Sequence, residues 1–208
     1  TMVLGARAPR RFTKDKRELL GVVANQLAVS TRNAEMYRAM EQMATTDGLT
    51  GLVNHRSFQE RFADLIARAE RQGARVSLLL TDIDHFKKVN DTYGHLFGDQ
   101  VIRGVAQAIK ALVKGQDSAA RYGGEEFAVL LPNTGLKGGE AVGNQIRALV
   151  ERSKIRKQDD NTVIGNISVS VGVASLKPGE LPASLLKRAD EALYKSKQTG
   201  RNRVTLAD

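Results

Sequence analysis

The chain of 208 residues contains no cysteine. That excludes disulfides, thiolate metal sites and a cysteine nucleophile, and it fits a cytoplasmic protein. No run approaches the roughly 18 consecutive apolar residues that a membrane-spanning helix needs. No basic-then-apolar segment opens the chain as a signal peptide would. Aromatic residues make up only 5%, which argues against a nucleic-acid groove, where bases stack on aromatic side chains. Internal repeats, low-complexity tracts and a visible His–carboxylate triad are missing as well. Acid is in deficit: 32 Lys and Arg stand against 23 Asp and Glu, a formal net charge of +9. Such a balance favours polyanionic partners, or is simply a solvated basic surface. The first residue is Thr rather than Met, so the chain reads as a piece of a longer one.

What is present suits a soluble globular protein: 41% hydrophobic and 26% charged residues, enough chain for one domain and an appendage. Residues 1–9 suggest a strand and a loop, and residues 12–46 one long helix with Thr13 as N-cap. Two seams run along that helix. One is Leu20, Val23, Leu27, Ser30, Ala34 and Tyr37; the other is Val22, Gln26, Val29, Asn33, Met36, Met40 and Met43. Steps of three and four suit a helix that packs on a partner helix, or on its own domain.

The texture changes at Asp47. DGLTGLVNH (47–55) is a turn-rich linker, and residues 56–71 read as a helix with Phe58, Phe62, Leu65, Ile66 and Ala69 on one side. ARVSLLLTDID (74–84) is a continuous apolar run, the mark of a buried strand, and it ends in two acids. Residues 98–113 give a helix whose inward side is Val101, Ile102, Val105, Ile109 and Leu112. DSAARYGG (117–124) and EFAVLLP (126–132) read as two strands joined by a Gly-Gly hairpin. Then come a helix over 136–152, an alternating strand within 161–176, a helix over 181–202 ended by Gly200, and an edge strand at 203–207. The order βαββαβ implies an α+β fold of ferredoxin-like layout, an antiparallel-containing sheet covered by helices.

Two acidic places stand out in that layout. Asp82 ends the buried strand, and Glu125 and Glu126 follow Gly123 and Gly124. The βαββ order lets these strand ends lie side by side. Carboxylates gathered at one sheet edge suit Mg²⁺, which keeps positions for water and substrate phosphates, and glycines admit phosphate without a Cβ in the way. A polar hairpin beside a solvated strand end would read the same locally.

These residues resemble the GGDEF family of diguanylate cyclases. RYGGEEF (121–127) is similar to the family signature in its Gly-Gly-Glu-Glu-Phe form, and DGLTGLVNHR (47–56) resembles the opening DxLTGLxNRR. TDIDHFKKVNDTYGHLFGD (81–99) is similar to the metal- and guanine-binding segment; SVSVGVAS (168–175) and ADEALYKSKQTGRN (189–202) resemble the last core strand and helix. The resemblance implies a nucleotidyl-cyclase core over 47–208 that joins two GTP into cyclic di-GMP and two pyrophosphates, with Mg²⁺ or Mn²⁺ as cofactor. It implies Asp82, Glu125 and the Ile83 carbonyl as metal ligands, and Glu125, with Glu126 beside it, as the catalytic acids. By the same resemblance Asn90 and Asp99 read guanine, an Asp being able to accept from guanine N1–H and N2–H₂ together. Phe86 and Lys87 match the segment that wraps the phosphates, and Lys197 and Arg201 match phosphate ligands, four apart and so on one helix face.

Departures from the family pattern are few. The inhibitory RxxD stretch reads KGQD here, with Lys114 for Arg and Asp117 in place. Lys lacks the planar two-pronged donor of Arg, so product inhibition should be weak. His55 replaces a common Arg without an expected effect, and His85 and His95 read as solvated rather than catalytic. Residues 1–46 resemble the last strand and helix of a GAF sensor domain, which implies a truncated sensor with a signalling helix. Since each site holds half of the reaction, a homodimer is expected through that helix, with transient contact between the cyclase domains. No nucleic-acid partner and no membrane span are expected.

Overall fold

The computed structural model describes residues 13–153, 155–156, 163–164 and 167–207. The strand proposed for residues 1–9 lies outside them. The chain divides into two units at Ala44–Thr45. The first is a helix, α1 (Lys14–Thr45). Thr13 caps it as its sequence suggests, accepting from Lys16 N at 3.4 Å through Oγ1. Along the helix Leu19, Val22, Val23, Leu27, Val29 and Met36 are 42–66% exposed, so both apolar seams are open to solvent at these positions.

The second unit begins with α2 (His55–Gln72), β1 (Val76–Ile83), α3 (Phe86–Tyr93), α4 (His95–Leu112), β2 (Ser118–Arg121) and β3 (Glu126–Pro132). It continues with α5 (Leu136–Arg152), β4 (Ile155–Arg156), β5 (Val163–Ile164), β6 (Val169–Ser175), α6 (Pro182–Gln198) and β7 (Val204–Leu206). The main sheet has the order β2-β3-β1-β6-β7. Its first four strands run antiparallel, and β7 joins β6 in parallel. This is the ferredoxin-like arrangement expected from the βαββαβ order, with one strand added at the edge.

β1 is buried along its whole length because helices cover both faces. Leu79 and Ile83 pack with α4 and α5 residues such as Val105, Ile109 and Ile146. Leu78 and Leu80 pack with Phe58, Phe62 and Ile66 of α2 and Leu185 and Leu193 of α6. A strand covered on both faces must be apolar at every position, hence the unbroken run. α6 lies tight on β6: a Cβ on Gly172 would overlap Ala189 O and Leu193 N. That close approach carries the end of α6 to the tip of β1.

Two expectations need correction. α6 stops at Gln198, with Thr199 at its cap, so Arg201 is not on the helix and does not share a face with Lys197. The strand read within 161–176 starts only at Val169, while Val163–Ile164 pairs with β4 in a separate two-stranded ribbon.

Candidate active site

The sheet brings the two acidic places together at one edge. Asp82 stands opposite Glu126 across β1 and β3, and opposite Ser170 across β1 and β6. Ile83 N donates to Glu125 O at 3.3 Å, tying the strand end to the hairpin. The turn closes on itself: Tyr122 N and Gly123 N both donate to Glu126 O, at 2.8 and 3.2 Å. A Cβ on Gly123 would overlap the Glu126 carboxylate, so the first glycine lets that carboxylate lie over the turn. Phe127, fully buried behind the acids, anchors the turn with roughly 2 kcal/mol of burial. Arg121 braces it from outside. Its Nη2 donates to Gly124 O at 2.7 Å and its Nη1 to Asp47 Oδ2 at 3.2 Å. Burial works to raise the Asp47 pKa, but hydrogen bonds from Thr50 and the Arg121 charge outweigh it and hold the group low.

Burial raises the pKa of Asp82 above the usual carboxylate range, with Asp84 adding to the rise and Lys197 and Arg201 opposing it. Burial likewise raises Glu125, and the Asp82 and Glu126 charges push further. Carboxylates that oppose one another's ionisation call for a cation. One is already present: Lys197 Nζ lies 2.7 Å from Asp82 Oδ2. Among the described residues no three His, Asp or Glu side chains form a metal-binding group. The Lys197 ammonium occupies the position beside the Asp82 carboxylate that a metal ion would otherwise take.

α3 and α4 form the second part of the site. The buried Oδ1 of Asn90 has no hydrogen-bond partner. It lies against Gly98, where a Cβ would overlap it, with the Phe86 ring beside the same point. Asp99 follows Gly98 and is half-buried, while Lys87 is exposed on α3. An orphaned buried acceptor is costly, so Asn90 suits a ligand that brings an N–H. His85 (φ 58°) and His95 are both exposed, as the sequence suggests.

The chain beyond α6 closes the site. Gly200, Arg201 and Asn202 all have positive φ, 118°, 60° and 46°. Arg201 N donates to Ser196 O at 3.0 Å, and Asn202 N to Asp84 Oδ2 at 3.0 Å.

A profile of the family described as "Diguanylate cyclase, GGDEF domain" matches residues 44–203. The chain belongs to that family. It is 39% identical over 198 residues to diguanylate cyclase VdcA of Vibrio cholerae, covering 92% of this chain and 57% of the relative. The chain thus spans about half the length of the curated relatives it matches. Among solved structures, the coiled coil and GGDEF domain of DgcB from Caulobacter crescentus, in complex with c-di-GMP, superposes with a TM-score of 0.83. The identity is 42%, over 91% of this chain and 99% of that one. The DgcB GGDEF domain alone, also with c-di-GMP, gives 0.78 at 46% identity, over 79% and 94%.

In this GGDEF domain the KGQD stretch lies at the opposite end of β2 from the glycine turn. Asp117 Oδ2 accepts from Lys114 N at 3.2 Å, so its carboxylate closes its own turn, and Lys114 is exposed. Sequence reasoning passed over Asp84 and Arg121. Asp84 stands two residues after Asp82, and the period of a strand was the available signal. The partners of Arg121 are 74 residues back and three ahead, a pairing no local pattern carries.

Proposed function

We propose that this domain is a diguanylate cyclase, condensing two GTP into cyclic di-GMP and two pyrophosphates where two copies meet. The observation that carries the reading is the Asp82–Glu125 pair at one sheet edge, with an ammonium seated on Asp82, in a GGDEF domain. The family is metal-dependent; here the ion is Mg²⁺ or Mn²⁺, held by Asp82, Glu125 and the Ile83 carbonyl. When bound, it neutralises charge on the transferring phosphate.

The residues divide the remaining work. Asn90 and Asp99 hold the guanine, Phe86 and Lys87 border the phosphates, and Lys197 and Arg201 bind phosphate oxygens. To do so, Lys197 leaves Asp82. The 3′-oxygen of one GTP attacks the α-phosphorus of the other, the bond to pyrophosphate breaks, and the 3′ proton passes to Glu125, with Glu126 supporting the charge. Burial, with the Asp82 and Glu126 charges, raises the Glu125 pKa and so favours its holding a proton. The same step in the other direction closes the ring.

Residues 1–46 are the end of a GAF-like sensor with its signalling helix, and 47–208 the cyclase. α1 pairs with its copy through the exposed seam, a reading supported by the DgcB coiled-coil match. The test is incubation with GTP or ATP and Mg²⁺ followed by chromatography, beside E125Q. Cyclic di-GMP from GTP alone, and only with the unsubstituted chain, is expected. GTP bound but unchanged, even with a dimeric coiled coil fused to the N-terminus, would mean a silent binding module instead.

A further inference from the structure

We propose that Asp84 is a positioning residue for the triphosphate: its buried carboxylate holds the Gly200–Asn202 loop in the conformation that presents Arg201 to the site. The inference rests on the reading of Arg201 as a phosphate ligand.

Asp84 is 5% exposed. A carboxylate that deep needs its oxygens satisfied. Its Oδ1 accepts from Ser170 Oγ at 2.7 Å, and its Oδ2 accepts from Ser168 Oγ at 2.7 Å and from Asn202 N at 3.0 Å. The two serines come from β6 and the residue before its start, so they fix the carboxylate on the sheet. The third bond reaches 118 residues along the chain and grips the loop.

That loop needs gripping. Arg201 and Asn202 are consecutive non-glycine residues in the left-handed region, which L-residues avoid and which persists only where the surroundings impose it. Asp84 holds the backbone from one side. From the other, α5 holds the Asn202 side chain: its Nδ2 donates to Glu151 Oε1 at 2.7 Å and its Oδ1 accepts from Arg147 Nη1 at 3.1 Å. Arg201 immediately precedes the anchored Asn202, its own N donates to Ser196 O at 3.0 Å, and its charge is felt at Asp82. Without Asp84 the backbone relaxes and the guanidinium is no longer aimed.

The test is a double-mutant cycle on binding, read by calorimetry with Mg²⁺ and 3′-deoxy-GTP, which lacks the attacking hydroxyl, and with guanosine as control. R201A is expected to weaken 3′-deoxy-GTP binding by roughly tenfold, the range of one lost charge-assisted hydrogen bond. D84N should weaken it similarly, guanosine binding should stay unchanged, and D84N added to R201A should have no further effect. A merely structural role would add the two losses or weaken guanosine too, and either result overturns the proposal. So does D84N binding like the wild type. Should D84N fail to fold, S168A/S170A keeps the carboxylate but strips two of its bonds, and unchanged triphosphate binding there overturns it equally. A wild type that binds no 3′-deoxy-GTP refutes the cyclase reading itself, and this proposal with it.

Discussion

Asp82 and Glu125 are a liability to the domain without a ligand. Their folded-state pKa values lie above the unfolded ones, chiefly through burial. Such groups stabilise the fold below the unfolded pKa, and the contribution is lost as pH rises through the folded one. Asp47 and Glu180 have the opposite sign, with lowered values; their contribution is lost as pH falls through those values. Thermal stability without metal should therefore rise as pH drops from neutrality toward the ordinary carboxylate values of 4.5 for Glu and 3.8 for Asp, then fall at greater acidity. E125Q should melt about 2 °C higher than the wild type at pH 7 without metal, and gain less on adding Mg²⁺. A lower melting temperature for E125Q under those conditions would contradict the electrostatic account. Lys114 offers a second test at this scale. K114R should strengthen inhibition by added cyclic di-GMP, since only Arg supplies a two-pronged donor. Unchanged inhibition in initial-rate assays would mean that Lys114 is not what weakens the site.

α6 carries Lys197 only because it lies close on β6. Gly172 permits that approach, so Gly172→Ala should destabilise the domain by about 3 kcal/mol in urea unfolding. An effect under roughly 0.5 kcal/mol would mean the helix is free to shift. The elements that position the site were largely legible in the sequence. β1 shows as an apolar run because both of its faces are covered, and the hairpin shows through Gly123 and Gly124. α3 did not show: it is eight residues long, begins at a left-handed His85 and buries only Phe86, so it has no apolar stripe. The end of α6 was misplaced for a different reason. Lys197, Gln198 and Thr199 tolerate a helix, and Arg201 continues its four-residue spacing. What turns the chain away is Gly200, followed by two left-handed residues tied to Asp84 on a distant strand. Spacing reports local geometry, and that contact is not local. Asn90 and Asp99 were legible only through resemblance; the approach of Asn90 to Gly98, the residue before Asp99, depends on how α3 packs on α4.

At the scale of the whole molecule the exposed apolar side chains of α1 from Leu19 to Met36 are the feature a single chain does not explain. Val23 and Leu27 are 42% and 50% exposed, and burying what remains exposed against a second copy would supply about 1 kcal/mol each. V23E/L27E should shift the chain from dimer to monomer in sedimentation while leaving its melting temperature within a few degrees. A wild type that stays monomeric at high concentration, with and without GTP, would refute pairing through α1. Pairing matters because each site is expected to hold one GTP and half of the reaction. The most direct test of the account is therefore the initial rate of cyclic di-GMP formation from GTP and Mg²⁺ across a wide range of chain concentration, with pyrophosphate measured alongside. The expected result is a rate per chain that climbs with concentration to a plateau, and two pyrophosphates for each cyclic di-GMP. No cyclic di-GMP at any concentration, or a rate per chain already constant where the protein is monomeric, would contradict it.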